Sequence, residues 1–301
     1  MTSDRTYNSV VLVKQVPDTH NISGDVMKED GTVNRSALPA IFNPEDLNAL
    51  EMALQVRERY GGTVTVVTMG PATAAEVLRE SLYRGADRVL LLSDRRFAGA
   101  DTLATSYTLK CTIEKLGQFD LVFCGRQAID GDTAQVGPQT AEKLGIPQIT
   151  YAESIVSMDG DEIVVQRAFP LGKEWVKCAL PCLLTVIASA NHPRPASVRK
   201  QIEYKLAAAP MELKSLLSRW PEFETEEKLD AYLTEHKLKI PLWTADDIGA
   251  DAENLGLNGS PTQVHKVNFV VLESAESKQI TADEAGIAAL MQELVKEYIV
   301  G

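Results

Sequence analysis

Phe119-Asp-Leu-Val-Phe-Cys-Gly-Arg-Gln-Ala-Ile-Asp-Gly-Asp-Thr-Ala-Gln-Val-Gly-Pro-Gln-Thr-Ala-Glu-Lys-Leu-Gly145 reads as strand, turn and helix. The apolar run Phe119 to Cys124 suits a strand buried on both faces, and Gln139 to Gly145 suits a helix. A strand that ends in glycine and bends sharply into a helix presents free backbone N–H groups and a positive dipole end. That geometry suits a phosphate or another anion. A purely structural reading is also open. Asp132 with Gln135 three residues on fits a capping box, and Asp130-Gly131 fits a tight turn. Two carboxylates there would also repel a diphosphate unless their side chains were engaged. Spacing by itself does not decide between the two.

The same unit recurs towards the N-terminus. Val10-Val-Leu-Val13 is a β-branched strand that Pro17 stops. Asn43-Pro-Glu-Asp46 has the grammar of a helix start, with Asn as cap, Pro at the first helical position and acid in the first turn. Leu47, Leu50 and Leu54 supply its apolar stripe, and Gly61-Gly62 ends it. Val64 to Val67 and Val89 to Leu92 are strands; Ala74 to Arg84 and Asp101 to Leu116 are helices. This alternation predicts an α/β fold: a doubly wound, mostly parallel sheet with helices on both faces. Ligands of such sheets sit beyond the carboxyl ends of the strands, where Val13 to Asp18, Thr68 to Pro71 and Gly125 to Val136 converge. Neither G-x-G-x-x-G after the first strand nor a Walker A sequence is present. Lys14 reads as a phosphate partner or as a solvated charge, and Asn43 as a helix cap or a ligand residue.

After Pro147 the texture changes. Glu162 to Gln166 and Trp175 to Cys178 read as an antiparallel pair, and Leu183 to Ile187 as another buried strand. Leu213 to Leu238 is charged and helical around Trp220-Pro221, and Thr281-Ala-Asp-Glu284 opens a last helix by the capping-box pattern. The last hundred or so residues are too thinly apolar for an obvious second core. The expected organisation is an α/β domain over residues 1–190 and a docking loop with a partner-binding extension over 191–301.

Composition narrows the function. Thirty Lys and Arg against 42 Asp and Glu give a net charge of −12, which argues against a nucleic-acid partner. No apolar run approaches the roughly 20 residues of a membrane span, and the first ten residues carry no signal-peptide stretch. Cys111, Cys124, Cys178 and Cys182 form no zinc framework, so a reduced, cytoplasmic setting is expected. His20, His192, His236 and His265 are scattered, with no nucleophile elbow and no metal spacing. Trp175, Trp220 and Trp243 read as packing residues.

Seven ordered motifs carry a family resemblance. They are Val11-Leu-Val-Lys-Gln-Val-Pro-Asp-Thr19, Phe42-Asn-Pro-Glu-Asp46, Met69-Gly-Pro71, Arg84-Gly-Ala-Asp-Arg88, Gly125 to Pro138, Leu180-Pro-Cys-Leu-Leu-Thr-Val186 and Leu255-Gly-Leu-Asn-Gly-Ser-Pro-Thr262. Together they make the chain resemble the small (beta) subunit of electron-transfer flavoproteins, over nearly its whole length. The resemblance implies an adenine-nucleotide alpha-hydrolase-like fold and an alpha-subunit partner that carries the electron-transferring FAD. It implies a nucleotide held by Leu12, Asn43, Met69, Gly125, Arg126, Gln127, Ala128, Asp130, Asp132, Thr133, Ala134, Gln135 and Val136. No side chain need act as acid or base.

The Val-Pro-Asp-Thr turn and the small Thr133-Ala134 pair resemble the electron-bifurcating branch. That branch implies FAD in the beta subunit, NADH as donor, ferredoxin or flavodoxin as one acceptor, and a flavin dehydrogenase fed by the alpha FAD. AMP, bound structurally in a docking subunit, is the alternative. Two departures stand out. Ala168-Phe-Pro-Leu-Gly172 replaces the family's acidic, Gly-rich turn after the basic residue matched by Arg167. Asn191 to Arg199 matches the dehydrogenase-docking loop but lacks its leucine anchor. Pro221 to Leu242 looks like an insertion with no assignable role.

Overall fold

The computed structural model describes residues 5–18, 39–262, 279–297 and 299–300. Strand β1 (Ser9–Leu12) leads into a small ribbon, β2 (Gln15–Pro17) antiparallel to β3 (Ala40–Phe42). Helix α1 (Pro44–Tyr60), β4 (Val64–Met69), α2 (Ala75–Arg84) and β5 (Arg88–Leu92) follow. Then come α3 (Thr102–Leu116), β6 (Leu121–Gly125) and α4 (Val136–Leu144). Three longer strands, β7 (Gln148–Asp159), β8 (Glu162–Phe169) and β9 (Gly172–Ala179), precede β10 (Cys182–Val186). Beyond them lie α5 (Val198–Tyr204), α6 (Leu213–Leu217), α7 (Glu226–Glu235), β11 (Leu242–Trp243) and α8 (Glu284–Lys296).

The main sheet runs β11-β5-β4-β1-β6-β10-β7-β8-β9. It is parallel from β11 to β7 and antiparallel from β7 to β9. The pleat sorts its side chains to opposite faces. Val11, Val66, Leu91, Phe123 and Leu184 pack with Leu50 of α1 and Leu78 of α2. Val10, Leu12, Val67, Leu92 and Val122 pack with Leu109 and Ile113 of α3 and Ala141 of α4. This is the doubly wound arrangement that the strand–helix alternation predicts.

Three local expectations change. The antiparallel pair is a three-stranded meander, because β7 continues past its parallel pairing with β10 and takes up β8 as well. Trp175 is no packing residue: on the edge strand β9 it is 73% exposed, its indole N–H donating to Gln166 Oε1 at 3.2 Å. The last helix begins at Glu284, capped by Asp283, whose carboxylate accepts from Gly286 N at 2.7 Å. Thr281 instead donates its hydroxyl to that carboxylate.

The described residues up to Thr262 form one compact unit and those from 279 onward belong to a second. In the first, the sparse apolar residues after the sheet are placed where they count. Leu213, Leu229, Leu233 and Ile240 join the core beneath α1 and α2, while Ala245, Ile248 and Leu255 join the other. β11 extends the sheet beside β5. In the second unit α8 exposes Ile287, Met291 and Val295 at helical spacing. No helix among the described residues is long and apolar enough to cross a membrane. If α7 shares the sheet's core, Leu233→Ala should cost about 2–5 kcal/mol within a single urea-unfolding transition; a separate early transition for residues 207–240 would contradict this.

Candidate functional site

The first turn of α1 lies directly against the carboxyl ends of β1 and β6. A Cβ on Gly125 would stand 2.6 Å from Asp46 Oδ1 and 2.8 Å from the Asp46 backbone nitrogen, so only glycine admits this approach. Asp46 uses both oxygens: Oδ1 accepts from Gly125 N and Oδ2 from Lys14 N, each at 2.8 Å. Burial pushes its carboxyl up to about 7, opposed by those two amides, by Asn43 and by the Lys14 charge. Glu45 continues the pattern, accepting from Gln127 N at 3.0 Å and pairing with Arg126 at 3.2 Å.

Asn43 is not a side-chain helix cap. Its backbone carbonyl accepts from Asp46 and Leu47 while its side chain turns to the β6–α4 loop. The amide Nδ2 donates to Gln127 O at 2.9 Å, and Oδ1 accepts from Ile129 N at 3.1 Å. Asn43 thus holds the loop by one donor and one acceptor, a pairing that a carboxylate could not reproduce.

The loop's own carboxylates are engaged. Lys14 Nζ bonds both oxygens of Asp130, at 2.7 and 2.8 Å, so Lys14 is neither a free charge nor a lone solvated one. Asp132 accepts from Gln127 Nε2 at 2.9 Å. Asp132 therefore does not cap α4, which starts only at Val136 and has no side-chain cap. Asp132 and Ala134 take left-handed backbone angles, φ 49° and 53°. Such conformations cost non-glycine residues about 1–2 kcal/mol each and concentrate at functional loops.

Helix α4 is set tightly on the sheet. A Cβ on Gly137 would meet Cys124 Sγ at 2.7 Å and Thr185 Cγ2 at 2.9 Å. Among the described residues, the N–H groups of Ala134, Gln135, Val136 and Gly137 donate to no protein acceptor. The N-terminus of α3 is tied to the same edge, since Thr102 Oγ1 donates to Gln135 Oε1 at 3.0 Å. Asp101 caps α3 through Leu103 and Ala104, and its other oxygen accepts the backbone N–H and hydroxyl of Thr262. Ser260 accepts from Asp101 N at 2.8 Å and donates to Gly256 O at 2.6 Å. The 255–262 motif is therefore a strap across this edge.

The remaining candidates fall in two places. Leu12, Met69 and Val136 belong to the apolar cluster on the α3/α4 side. Arg126 turns the other way, its guanidinium 5.6 Å from the centre of the Tyr151 ring. Ala128 closes the turn by accepting from Gly131 N and Asp132 N, and Thr133 stands exposed. Glu45 and Asp46, which an acidic first turn makes look solvated, are the scaffold that sequence reasoning missed. The signal was there: Asp46 lies four and eight residues before Leu50 and Leu54, on the buried stripe. The Asn191 to Arg199 loop is bound to α1, with Arg194 paired to Glu51 at 2.7 Å and also to Glu58. Thr19, His20 and His265 lie outside the described residues.

An electron transfer flavoprotein domain matches residues 30–211. Over 259 residues, 86% of this chain and 86% of the relative, the sequence is 48% identical to electron transfer flavoprotein subunit beta of Clostridium acetobutylicum. This chain belongs to the electron transfer flavoprotein beta-subunit family. The Megasphaera elsdenii subunit beta is 38% identical over 97% of this chain and 99% of its own length. Subunit CarD of the caffeyl-CoA reductase-Etf complex of Acetobacterium woodii is 43% identical over 85% of this chain and 86% of its own. The family's business is flavin-associated electron transfer.

Asp46 gives a pH-dependent test. A carboxyl whose folded value is raised contributes fully below its unfolded value, near pH 4, and loses that contribution as pH climbs towards 7. Asp46→Asn removes the titration. Between those limits the stability of wild type relative to Asp46→Asn should fall by about 1–4 kcal/mol, measured by urea unfolding at each pH. A constant difference would contradict the assignment.

Proposed function

We propose that this chain, as the beta subunit of a heterodimeric electron transfer flavoprotein, binds FAD beyond the carboxyl ends of β1, β4 and β6. The observation that carries this reading is the row of N–H groups from Ala134 to Gly137 that meet no acceptor among the described residues, at the positive end of α4, beside carboxylates already engaged by Lys14 and Gln127. Backbone amides from Ala134 to Gly137 would take the phosphates. Leu12, Met69 and Val136 would give the apolar wall, and Asn43 with Gly125, Arg126, Gln127, Ala128, Asp130, Asp132 and Gln135 would fix the loop. Thr133 and Ala134 are small and would leave room at its rim.

The residues named above would hold FAD, and the flavin would supply the chemistry of accepting hydride from NADH and of delivering single electrons to ferredoxin or flavodoxin and to the alpha-subunit FAD. The alpha flavin would in turn serve a dehydrogenase, and the protein would work in the cytoplasm. CarD, named as part of a reductase complex, lends this branch support. The exposed stripe Ile287, Met291 and Val295 of α8 suits burial against the alpha subunit.

The same amides suit the single phosphate of AMP, which would make the chain a docking subunit. Cofactor content of the purified heterodimer separates the readings. FAD in both subunits, bleached by NADH, is expected; FAD in the alpha subunit alone with AMP released from the beta subunit would overturn the flavin reading. Thr133→Arg should abolish nucleotide binding in the beta subunit and leave the alpha FAD in place. Unchanged nucleotide content in that variant would show that the loop is only a turn.

A further inference from the structure

The β6–α4 loop poses an electrostatic problem that its own residues do not solve. It offers amides to an anion yet carries Asp130 and Asp132, and its one cation, Arg126, is drawn away to Glu45 and the Tyr151 ring. Among the described residues, Asp132 meets only the neutral amide of Gln127. The compensating charge comes from another strand. Lys14 follows β1; its backbone N–H is held by Asp46 and its carbonyl accepts from Asn43 N at 3.0 Å. With the main chain fixed on both sides, its side chain reaches Asp130 and bonds both carboxylate oxygens.

We propose that Lys14 is a positioning residue of the nucleotide site, whose charge neutralises Asp130 so that an acidic loop can accept an anionic ligand. This role rests on the nucleotide-binding reading above. Lys14 is half exposed, 50% at the side chain. Its pair with Asp130 therefore adds little to folding, and its electrostatic effect is sensitive to salt. The role differs from direct phosphate contact, because what matters is cancelling Asp130 and not reaching the ligand. Removing the lysine uncovers a repulsive carboxylate, and removing that carboxylate as well makes the lysine dispensable.

The test is a titration of FAD, and separately of AMP, into the full chain in complex with its alpha subunit, with the beta site emptied. Lys14→Gln should weaken binding about tenfold at low salt, with the deficit shrinking at high salt and the melting temperature little changed. Lys14→Arg should bind as wild type does. The double variant Lys14→Gln/Asp130→Asn should recover affinity to within about threefold of wild type. A double variant no better than Lys14→Gln would overturn the proposal in favour of direct ligand contact or a structural role. So would a Lys14→Gln variant that binds normally. If wild type binds neither probe, the nucleotide reading falls and this role falls with it.

Discussion

A single buried carboxylate joins the ends of two parallel strands. Asp46 accepts one amide from Lys14, two residues beyond the end of β1, and one from Gly125, the last residue of β6. It does so from the first turn of α1, where the helix dipole favours negative charge. When the carboxyl is ionised, hydrogen bonds to it are worth about 1.5–3 kcal/mol each, and removing the acceptor would leave the buried Gly125 amide and the Lys14 amide without this partner. The cost of burying the carboxyl is visible in its raised titration. The outcome is geometric: β1 and β6 end at a fixed separation, with α1 pressed against them at Gly125.

The rest of the site hangs from that joint. Asn43 and Glu45 precede Asp46 and reach onward into the β6–α4 loop at Gln127 and Ile129. The three polar residues that flank Pro44 thus dictate the path of the chain into α4. At the far end Gly137 seats α4 on Cys124 and Thr185. The strap from Leu255 to Thr262 ties down the neighbouring α3 N-terminus through Asp101. Two helix N-termini are thereby held on one edge of the sheet, the place where open α/β sheets take their ligands.

Much of this could be read in advance, for identifiable reasons. β-branched runs alternating with apolar stripes at helical spacing announced the parallel sheet, because both periods are set by backbone geometry. The convergence of the Lys14, Met69 and Gly125 regions followed from topology alone. What could not be read was which polar side chain answers which. Asp132 and Gln135 match a capping box, yet the left-handed backbone at Asp132 and Ala134 takes Asp132 away from the helix and towards Gln127. Asp46 looked like an ordinary first-turn acid, since local sequence does not reveal that a strand end from 79 residues further on presses against it. The same limit hid β11: two residues, Leu242 and Trp243, carry no periodicity to detect, and only pairing with β5 makes them a strand. α7 escaped notice as core because Leu229 and Leu233 are isolated among charges, yet both are fully buried.

The central claim is that the amides opening α4 are held ready for the phosphate of a nucleotide. Amide hydrogen exchange of the complex, with and without bound nucleotide, tests it at those amides. The account predicts that the segment from Ala134 to Gly137 exchanges quickly when the beta site is empty and is strongly protected when it is filled, while β1 and β6 change little. Equal exchange of that segment in both states would contradict it.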